Sequence, residues 1–596
     1  ASTEQGETTT LGLNGSNYTA ALLANFLDAD EVANYTHVDG IFTANPNWVN
    51  YADKIEHLSF DEANELAQLG TSVLHAKTML PLIEKNIPLR LLNTFNAGDT
   101  GTLISGQSSQ AGIKCISAES DRALINLSGR GLLGRVGIDG RIFNTLARHN
   151  ISVNIIAQSG AERGIGLVVN PDDAQLAWRV LRDEFKDDLK RQDVSDICLD
   201  DQVSVITAVG LSLTDFSQPL NALVNNRITP LIMNNALSGH SVSLVVKKGD
   251  LIKAVNVIHS AIFGALKRVH LVLFGHGVVG GALIEQILKA RDSIRSNKNI
   301  DLKIIAIANS RQALLDKDGI GADWQSRLET SQQSSQVQSI VDYVERHHLE
   351  NIIAVDNTAS RSLCGHYSDL ITAGYDLVSS NKIANTLDYD SYRRLHSLLK
   401  QHNKRYLYET NVGAGLPLID TIRTLHQSGE NITAIRGIFS GSLSYIFNRF
   451  GVEDVAFSDV VKAAVEQGFT EPDPRADLSG LDVARKLLIL ARELDLAVSL
   501  NDVRIENLVP DNLVEPELAE FKQRLTELDA VFAAKKAALK PGQVLRYIGD
   551  LSGDLMHTET AQLTVSLEAV EGNGPLGRVQ GSDSLFEIYT ESYGEQ

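Results

Sequence analysis

The chain has 596 residues, which is enough for about three to five domains of roughly 100–200 residues each. Hydrophobic residues make up 43% of it and charged residues 21%, proportions typical of a globular protein. The formal charge of −20 argues against nucleic acid or an anionic membrane as the partner, and no apolar run approaches membrane-spanning length. Three cysteines without metal-ligand spacing predict a reducing, cytoplasmic setting with buried thiols: Cys115, Cys198 and Cys364.

Residues 1–107 are predicted to form part of an α/β domain. A strand end runs into a glycine turn at residues 8–17, a helix follows at 18–27, and a short strand follows at 31–35. The glycine turn, the segment 37–40 and the later stretches 70–75 and 93–94 resemble the C-terminal half of the aspartokinase (amino-acid kinase) catalytic domain.

The resemblance to the kinase is incomplete. Where that family carries an arginine and three aspartates, this chain has Leu13, Asn17, His37 and Asn45, and the half with the phosphate-binding lysine loop does not appear in the sequence. Phosphoryl transfer needs cationic groups and a metal-binding carboxylate around the triphosphate, so we expect no aspartate kinase activity. Both chain ends are expected to fall inside domains, since the first lies close to the glycine turn and the last directly after a predicted strand at 585–589.

Residues 108–195 and 196–265 form two similar halves. Each repeats the order strand, helix, strand, strand, helix, at residues 123–127, 140–150, 151–158, 164–169 and 171–185, and again at 203–209, 217–226, 228–233, 242–246 and 250–263. Such βαββαβ units resemble ACT domains, which bind amino acids at paired interfaces. The resemblance implies an amino-acid effector such as threonine, with Asn154, Gln158, Ser159 and Glu162 in the first half, where the second half has Asn234 and Asn235. Two spacers that bind nothing fit the pattern about equally well.

Residues 266–402 carry the pattern of a nucleotide-binding domain. An apolar strand at 269–274 leads into a glycine turn, and a helix follows at 282–290. In this setting the backbone approaches a pyrophosphate at the helix N-terminus, which here involves Gly275, Gly277, Val278, Val279 and Gly280.

The second strand of this domain, at 302–308, ends in Asn309, Ser310 and Arg311 rather than in an acid. An acid would bind a ribose 2′-hydroxyl and repel a 2′-phosphate, whereas Ser310 and Arg311 can accept that phosphate. We therefore predict NADP or NAD as the cofactor, with NADP preferred. A solvated Arg311 without a role fits the sequence equally well.

Two further buried strands, at 351–355 and 376–378, lead to Thr358 and to Asn381-Lys382. Open α/β sheets bind ligands at the carboxyl ends of their strands, so these residues are expected along the nucleotide crevice. By position alone, an exposed lysine without a role is the simpler interpretation of Lys382.

Residues 403–575 are predicted to form an α+β domain that supplies the substrate face, and residues 576–596 to return toward the nucleotide domain. The predicted elements of the α+β domain are a helix from Leu418, a helical segment at 516–536 and strands at 544–548 and 563–570.

The stretch 468–486 is the most informative part of this domain. Pro472 and Pro474 keep its first half out of helix, which holds Glu471 and Asp473 on a loop, and Ser479 is predicted to cap the helix that follows. On that helix Asp482 and Lys486 are four residues apart and share a face. These groups suit a small zwitterion that exchanges a proton, although spacing alone also fits an ordinary surface ion pair.

Taken together, the glycine turn, Asn381-Lys382, the segment 412–417 and the stretch 471–486 resemble homoserine dehydrogenase. With the kinase-like and ACT-like regions ahead of them, nearly the whole chain resembles the bifunctional aspartokinase/homoserine dehydrogenase family. The resemblance implies an α/β multidomain fold: a partial kinase domain, tandem ACT domains, a Rossmann-type domain and an α+β catalytic domain. It also implies reversible NAD(P)H-dependent reduction of L-aspartate 4-semialdehyde to L-homoserine.

The same resemblance implies roles for individual residues. Lys486 is expected to exchange the proton at the hydroxyl, Lys382 to lie at the nicotinamide and the substrate, Glu471 and Asp482 to bind substrate, and Asp477 to support them. A monovalent cation, sodium in the family, is expected at a loop formed by Glu409, Val412, Ala414 and Leu416, mainly through backbone carbonyls.

Two alternatives stay open at this point. One is a non-catalytic regulatory or assembly subunit that binds amino acids, since a glycine-rich segment and a last helix that cover the cofactor in the family do not appear before residue 596. The other is a different Rossmann oxidoreductase acting on an amino-acid aldehyde. In each case we expect a homodimer or homotetramer.

Overall fold

The computed structural model describes Gly6 and residues 15–49, 51–68, 76–107, 113–130, 137–158, 164–210, 216–236, 241–264 and 266–595. The predictions at residues 8–14, 70–75, Ser159 and Glu162 lie outside these residues. None of the described helices combines the length and the apolar character that crossing a membrane requires.

The N-terminal region is a small α/β unit. Its elements are α1 (Gly15–Phe26), β1 (Val32–Thr36), β2 (Ile41–Phe42), β3 (Lys54–Ile55), β4 (His57–Ser59), α2 (Phe60–Gln68), α3 (Ala76–Glu84), β5 (Leu89–Asn93) and β6 (Thr102–Ser105). Four strands form a sheet in the order β1-β5-β6-β4, and β2 pairs with β3. The helix and the strand predicted after the glycine turn are confirmed as α1 and β1.

The two similar halves share one sheet. Their elements are β7 (Cys115–Ser128), α4 (Ile138–Arg148), β8 (Val153–Gln158), β9 (Gly164–Val169), α5 (Pro171–Glu184), α6 (Lys186–Lys190), β10 (Asp196–Val209), α7 (Ser217–Asn225), β11 (Ile232–Asn235), β12 (Ser241–Lys247) and α8 (Leu251–Phe263). The strand order is β11-β12-β10-β7-β9-β8, in which the long strands β7 and β10 pair antiparallel at the centre. β11 begins four residues later than the predicted position 228, because Pro230 has no N–H to donate to a ladder.

The nucleotide-binding region is a doubly wound sheet. Its elements are β13 (Lys267–Phe274), α9 (Val278–Lys298), β14 (Ile300–Ala308), β15 (Ala313–Leu315), α10 (Trp324–Glu329), α11 (Val337–Arg346), β16 (Ile352–Asp356), α12 (Arg361–Gly365), α13 (Tyr367–Thr372), β17 (Asp376–Ser379), α14 (Tyr389–Gln401) and β18 (Tyr406–Leu407). The order is β15-β14-β13-β16-β17-β18, parallel except for β15. The carboxyl ends of β13, β14, β16 and β17 therefore meet at one edge, as the predicted strands required.

The last region packs helices against an antiparallel-rich sheet. Its elements are α15 (Leu418–Gln427), β19 (Ile432–Ile438), α16 (Gly441–Val452), α17 (Phe457–Glu466), α18 (Arg475–Leu478), α19 (Leu481–Glu493), β20 (Val503–Ile505), α20 (Asp511–Val514), α21 (Leu518–Arg524), α22 (Glu527–Ala537), β21 (Gln543–Gly553), β22 (Ala561–Glu571), β23 (Leu585–Thr590) and β24 (Gly594–Glu595). The strand order is β20-β22-β21-β19-β23-β24. Helix α19 is buried along most of its length, and its apolar residues join one core with those of the nucleotide-binding region.

Two sequence predictions are wrong in detail, those for Cys198 and for the cap of α19. Cys198 is exposed, because it lies on the outer part of β10, where it donates to Asp196, so only Cys115 and Cys364 are buried thiols. The predicted helical segment 516–536 is confirmed as the two helices α21 and α22. Ser479 does not cap α19: Gly480, in a left-handed conformation with φ 73°, stands at the N-cap, and the Ser479 hydroxyl accepts only a long 3.3 Å bond from the Leu481 N–H.

Candidate active site

The glycine turn after β13 shows why each glycine is required. A Cβ on Gly275, which has φ 86°, would lie 2.9 Å from Thr358, and a Cβ on Gly280 would lie 2.0 Å from the carbonyl oxygen of Gly275. These two glycines therefore close the turn against α9 and the loop after β16. A Cβ on Gly277, by contrast, would have no protein atom within 4 Å. The open space above Gly277, at the start of α9, suits the close approach of a pyrophosphate.

The residues next to this turn fit the rest of a dinucleotide. Val278 and Val279, in the first turn of α9, expose 93% and 59% of their surface. The Asn309 side chain closes the loop after β14, since its oxygen accepts from the Arg311 and Gln312 N–H groups at 2.8 and 2.9 Å. Ser310 and Arg311 are exposed beside it.

Below the crevice lies a buried carboxylate, Asp356, at the end of β16. Its Oδ1 accepts from the Thr358 N–H and hydroxyl at 2.8 and 2.7 Å. Its Oδ2 accepts from the Tyr367 hydroxyl at 2.7 Å and from the Asn381 amide at 3.1 Å. Asp356 thus fixes both Thr358, beside the glycine turn, and Asn381, the neighbour of Lys382. Sequence reasoning assigned no role to Asp356 or Tyr367.

Two lysines from different regions meet at one carboxylate. Lys486 donates to Asp482 at 2.8 Å, one turn before it on α19, and to the Phe439 carbonyl at 2.7 Å. Lys382, which follows β17 in the nucleotide-binding region, lies 3.4 Å from the other Asp482 oxygen. The lysine side chains are 30% (Lys382) and 16% (Lys486) exposed. The predicted shared face of Asp482 and Lys486 is confirmed, and the fold adds Lys382 to it.

The electrostatics of this cluster keep Asp482 ionised. Partial burial acts to raise the pKa of the Asp482 carboxyl, but the ammonium groups of Lys486 and Lys382 outweigh it and hold that pKa below its ordinary value. An ammonium has three N–H donors, and Lys486 directs two of them at Asp482 and Phe439. Among the described residues these are the only partners of Lys486, so its third N–H remains available to another acceptor.

The loop before α19 is held by its own carboxylates. Asp477 accepts from the Glu471 N–H at 2.9 Å, which fixes the backbone that carries the exposed Glu471 side chain. Asp473 instead makes a bidentate pair with Arg475, which also donates to the carbonyls of Val514 and Pro516. The Arg475 guanidinium accordingly lowers the pKa of Asp473. Asp473 therefore anchors the loop, and Glu471 is left free to face a ligand.

In the predicted cation loop, some of the expected ligand groups are already hydrogen-bonded and others are not. The Glu409 carboxylate accepts from the Ile419 and Asp420 N–H groups at 2.8 and 3.1 Å, so it caps α15, and burial raises its pKa. Ala414 adopts a left-handed conformation with φ 52°. No hydrogen bond from a described donor reaches the carbonyl oxygens of Val412 and Ala414, whereas the Leu416 carbonyl already accepts from the Leu418 N–H at 2.9 Å. The described residues hold no group of three or more His, Cys, Asp or Glu side chains arranged for a metal ion, so any cation here depends on these carbonyls.

The predicted effector residues belong to the sheet of the two similar halves and not to this cluster. Asn154 and Gln158 are exposed on β8, and Asn234 and Asn235 are exposed on β11, at the two edges of the six-stranded sheet. Among the residues that the structure describes, these side chains have surface available for a small molecule.

The glycine turn, the parallel sheet and the lysines at its carboxyl edge define a NAD(P)-dependent oxidoreductase. Family models agree with this class: "Homoserine dehydrogenase" matches residues 417–596 and "Homoserine dehydrogenase, NAD binding domain" matches residues 275–409. In the N-terminal part, "Amino acid kinase family" matches residues 1–93 and "ACT domain" matches residues 125–185.

Whole-chain relatives define the family. All of this chain aligns at 37% identity with 73% of a bifunctional aspartokinase/homoserine dehydrogenase of Haemophilus influenzae, and at 35% identity with 66% of a chloroplastic one of Zea mays. A crystal structure of a Candida auris protein of unknown function matches 55% of this chain and 90% of its own, at 33% identity and a TM-score of 0.50. The chain belongs to the bifunctional aspartokinase/homoserine dehydrogenase family. A purely regulatory subunit is not favoured, because both dehydrogenase regions are present.

Proposed function

We propose that the chain catalyses the reversible, NAD(P)H-dependent reduction of L-aspartate 4-semialdehyde to L-homoserine. The observation that carries this proposal is the meeting of Lys382, Asp482 and Lys486 at the carboxyl edge of the nucleotide-binding sheet. The residues of the glycine turn, with Asn309, Ser310, Arg311 and Thr358, would hold the dinucleotide. When bound, the reduced cofactor supplies a hydride to the aldehyde carbon.

Lys486 is the proposed proton donor. As the aldehyde carbon is reduced, negative charge develops on its oxygen, and an ammonium at that oxygen both stabilises the charge and supplies the proton. The two bonds to Asp482 and Phe439 orient the Lys486 ammonium before the reaction begins. Lys382, held beside the same carboxylate, adds a second positive charge where the nicotinamide and the substrate would meet.

Glu471, Asp477 and Asp482 are proposed to determine which substrate binds. The exposed carboxylate of Glu471 suits the α-ammonium of an amino acid, and Asp477 keeps its backbone in place. Asp482 serves as the shared anchor of both lysines and as a substrate contact. Glu471 must be held in a fixed position to bind that ammonium. The two prolines of the loop and the Asp473–Arg475 pair restrict the backbone that carries it.

Four finer features are also proposed: the cofactor preference, a cation site, an effector and the oligomeric state. NADP is the preferred cofactor, since the loop after β14 offers Ser310 and Arg311 instead of an acid. A sodium ion is held at the loop of Glu409, Val412, Ala414 and Leu416, chiefly by the carbonyls of Val412 and Ala414, which accept no hydrogen bond from a described donor. An amino-acid effector such as threonine binds near Asn154 and Gln158, and the chain assembles as a homodimer or homotetramer, as light scattering can test.

The test of the function is product identification. The protein is incubated with L-aspartate 4-semialdehyde and NADPH, and with NADH in parallel, and homoserine is quantified by chromatography against the cofactor consumed. We expect one homoserine per NADPH oxidised and faster turnover with NADPH. Succinic semialdehyde, which lacks the α-ammonium, serves as the matched substrate, and Glu471→Gln is expected to reduce the preference for the amino aldehyde. Cofactor oxidation without homoserine would refute the proposal.

A further inference from the structure

Arg492 is a buried arginine in the middle of the site's supporting structure, with 3% of its surface exposed. It lies on α19 six residues after Lys486, which places it roughly 120° around the helix from that lysine. Its guanidinium makes four hydrogen bonds, all to main-chain carbonyls: Asn385 at 2.8 Å, Leu387 at 2.8 Å, and Val498 at 3.2 and 2.9 Å. Two of these three carbonyls belong to the nucleotide-binding region.

Two of the carbonyls that Arg492 contacts, those of Asn385 and Leu387, lie shortly after Lys382 in the chain. A single 3₁₀ turn, Ala384–Thr386, begins two residues after that lysine. The Thr386 hydroxyl donates to the Lys382 carbonyl at 3.1 Å, and the Asn385 amide donates to Asn411 at 3.0 Å. Because this turn is short and internally bonded, a displacement at Asn385 would also displace Lys382.

Arg492 is an unusual choice for packing alone. Burial lowers its pKa, and within the described part of the chain no carboxylate lies within ion-pair distance of its guanidinium. Its charge is balanced by carbonyl dipoles and by the Tyr392 ring, whose centroid is 4.7 Å from the guanidinium carbon. A leucine would avoid the desolvation cost, but only a planar fork with several donors can bond three carbonyls from two regions at once.

We infer that Arg492 is a positioning residue for the reaction: it ties α19 to the turn after Lys382 and so sets Lys382 against Asp482 and Lys486. The inference rests on the proposed dehydrogenase function. Lys382 and Lys486 come from different regions of the fold, and their common contact with Asp482 depends on how those regions meet. Arg492 joins the two regions at a point close to both lysines.

The first test is Arg492→Lys, which keeps the charge and removes the fork. We expect kcat to fall at least tenfold while the KM values for NADPH and the semialdehyde change less than threefold. Arg423→Lys is the matched control: Arg423 also bonds the end of α19, through Glu493 at 3.0 Å, but makes no contact with the turn after Lys382 among the described residues. Its kcat should stay within twofold of the unaltered protein. Equal effects of the two substitutions would overturn the inference.

A double-mutant cycle with Lys382→Ala separates positioning from general damage. Single-turnover rates, which remain measurable in slow variants, are compared for the two single variants and the double variant. If Arg492 acts through Lys382, Arg492→Lys should change the rate less than twofold once Lys382 is alanine; a tenfold loss in both backgrounds would contradict it. If Arg492→Lys does not fold, Thr386→Val replaces it, with an expected loss of at least threefold only when Lys382 is present. An inactive unaltered protein would instead refute the proposed function.

Discussion

The glycine turn permits a prediction with a magnitude. In Gly280→Ala the new Cβ would lie 2.0 Å from the Gly275 carbonyl oxygen and 3.4 Å from Asn357, so the turn and α9 must separate by roughly 1 Å. Overpacking of this kind costs about 1–3 kcal/mol, against which alanine gains up to about 1 kcal/mol of helix propensity. The net loss of stability is then up to about 3 kcal/mol, or up to about 2 kcal/mol if alanine realises the full gain. A displacement of roughly 1 Å in the backbone that faces the dinucleotide is expected to lower turnover on the order of 100-fold.

Gly277→Ala is the matched substitution in the same turn. Its Cβ meets no protein atom within 4 Å, and its φ of −63° suits alanine, so the fold should be unaffected while the methyl group occupies space required by the pyrophosphate. Thermal melting and NADPH titration by fluorescence separate the two outcomes. Gly280→Ala should lower both the melting temperature and the affinity, and Gly277→Ala only the affinity. An unchanged melting temperature and affinity in Gly280→Ala would refute the reasoning.

Three further predictions concern the carboxylates. Asp482→Asn should lower kcat on the order of 100-fold. The pKa of Asp482 is depressed in the folded protein, so the stability that its charge contributes is present above the ordinary carboxyl pKa of about 4 and is lost as the pH falls below it. The melting temperatures of the variant and the unaltered protein should therefore differ at neutral pH and converge in acid. Convergence at neutral pH would contradict this. Tyr367→Phe leaves buried Asp356 without one donor and should cost about 1–3 kcal/mol in urea unfolding; no loss would mean that the bond is unimportant. Glu409→Ala removes the cap of α15 and should lower the free energy of unfolding by about 1 kcal/mol. It should also abolish any sodium dependence of the rate. A rate that still responds to sodium would exclude Glu409 from the cation loop.

Local patterns in the sequence predicted what is local in the structure. The i,i+4 spacing of Asp482 and Lys486 sufficed to place them on one face, and the apolar strand before Gly275 sufficed to place the glycine turn. The sequence prediction placed the N-cap of α19 at Ser479 because serine is a common N-cap residue. The N-cap is Gly480 instead, where a Cβ would lie 2.0 Å from the Tyr547 hydroxyl, a tertiary contact that only glycine accommodates.

Contacts between distant segments could not be predicted from those patterns. Asp356 lies at the end of a strand, where many acids are solvated. Two of its four donors belong to nearby Thr358, but the Tyr367 hydroxyl and the Asn381 amide reach it only through the tertiary fold. One signal for Arg492 was present: it directly follows an unbroken apolar run, residues 487–491, on a helix buried nearly all round. A charged residue in that setting indicates buried partners, although not which carbonyls they are.

The most direct test of the account is NADPH oxidation by L-aspartate 4-semialdehyde in the unaltered protein, Lys486→Ala and Lys462→Ala. Lys462 pairs with Asp459 at 3.2 Å on an exposed face of α17, so it reproduces the ordinary helix ion pair without the cleft. The account predicts turnover in the unaltered protein and in Lys462→Ala, and at least a roughly 100-fold loss in Lys486→Ala. Turnover that persists in Lys486→Ala, or that is absent from the unaltered protein, would contradict it.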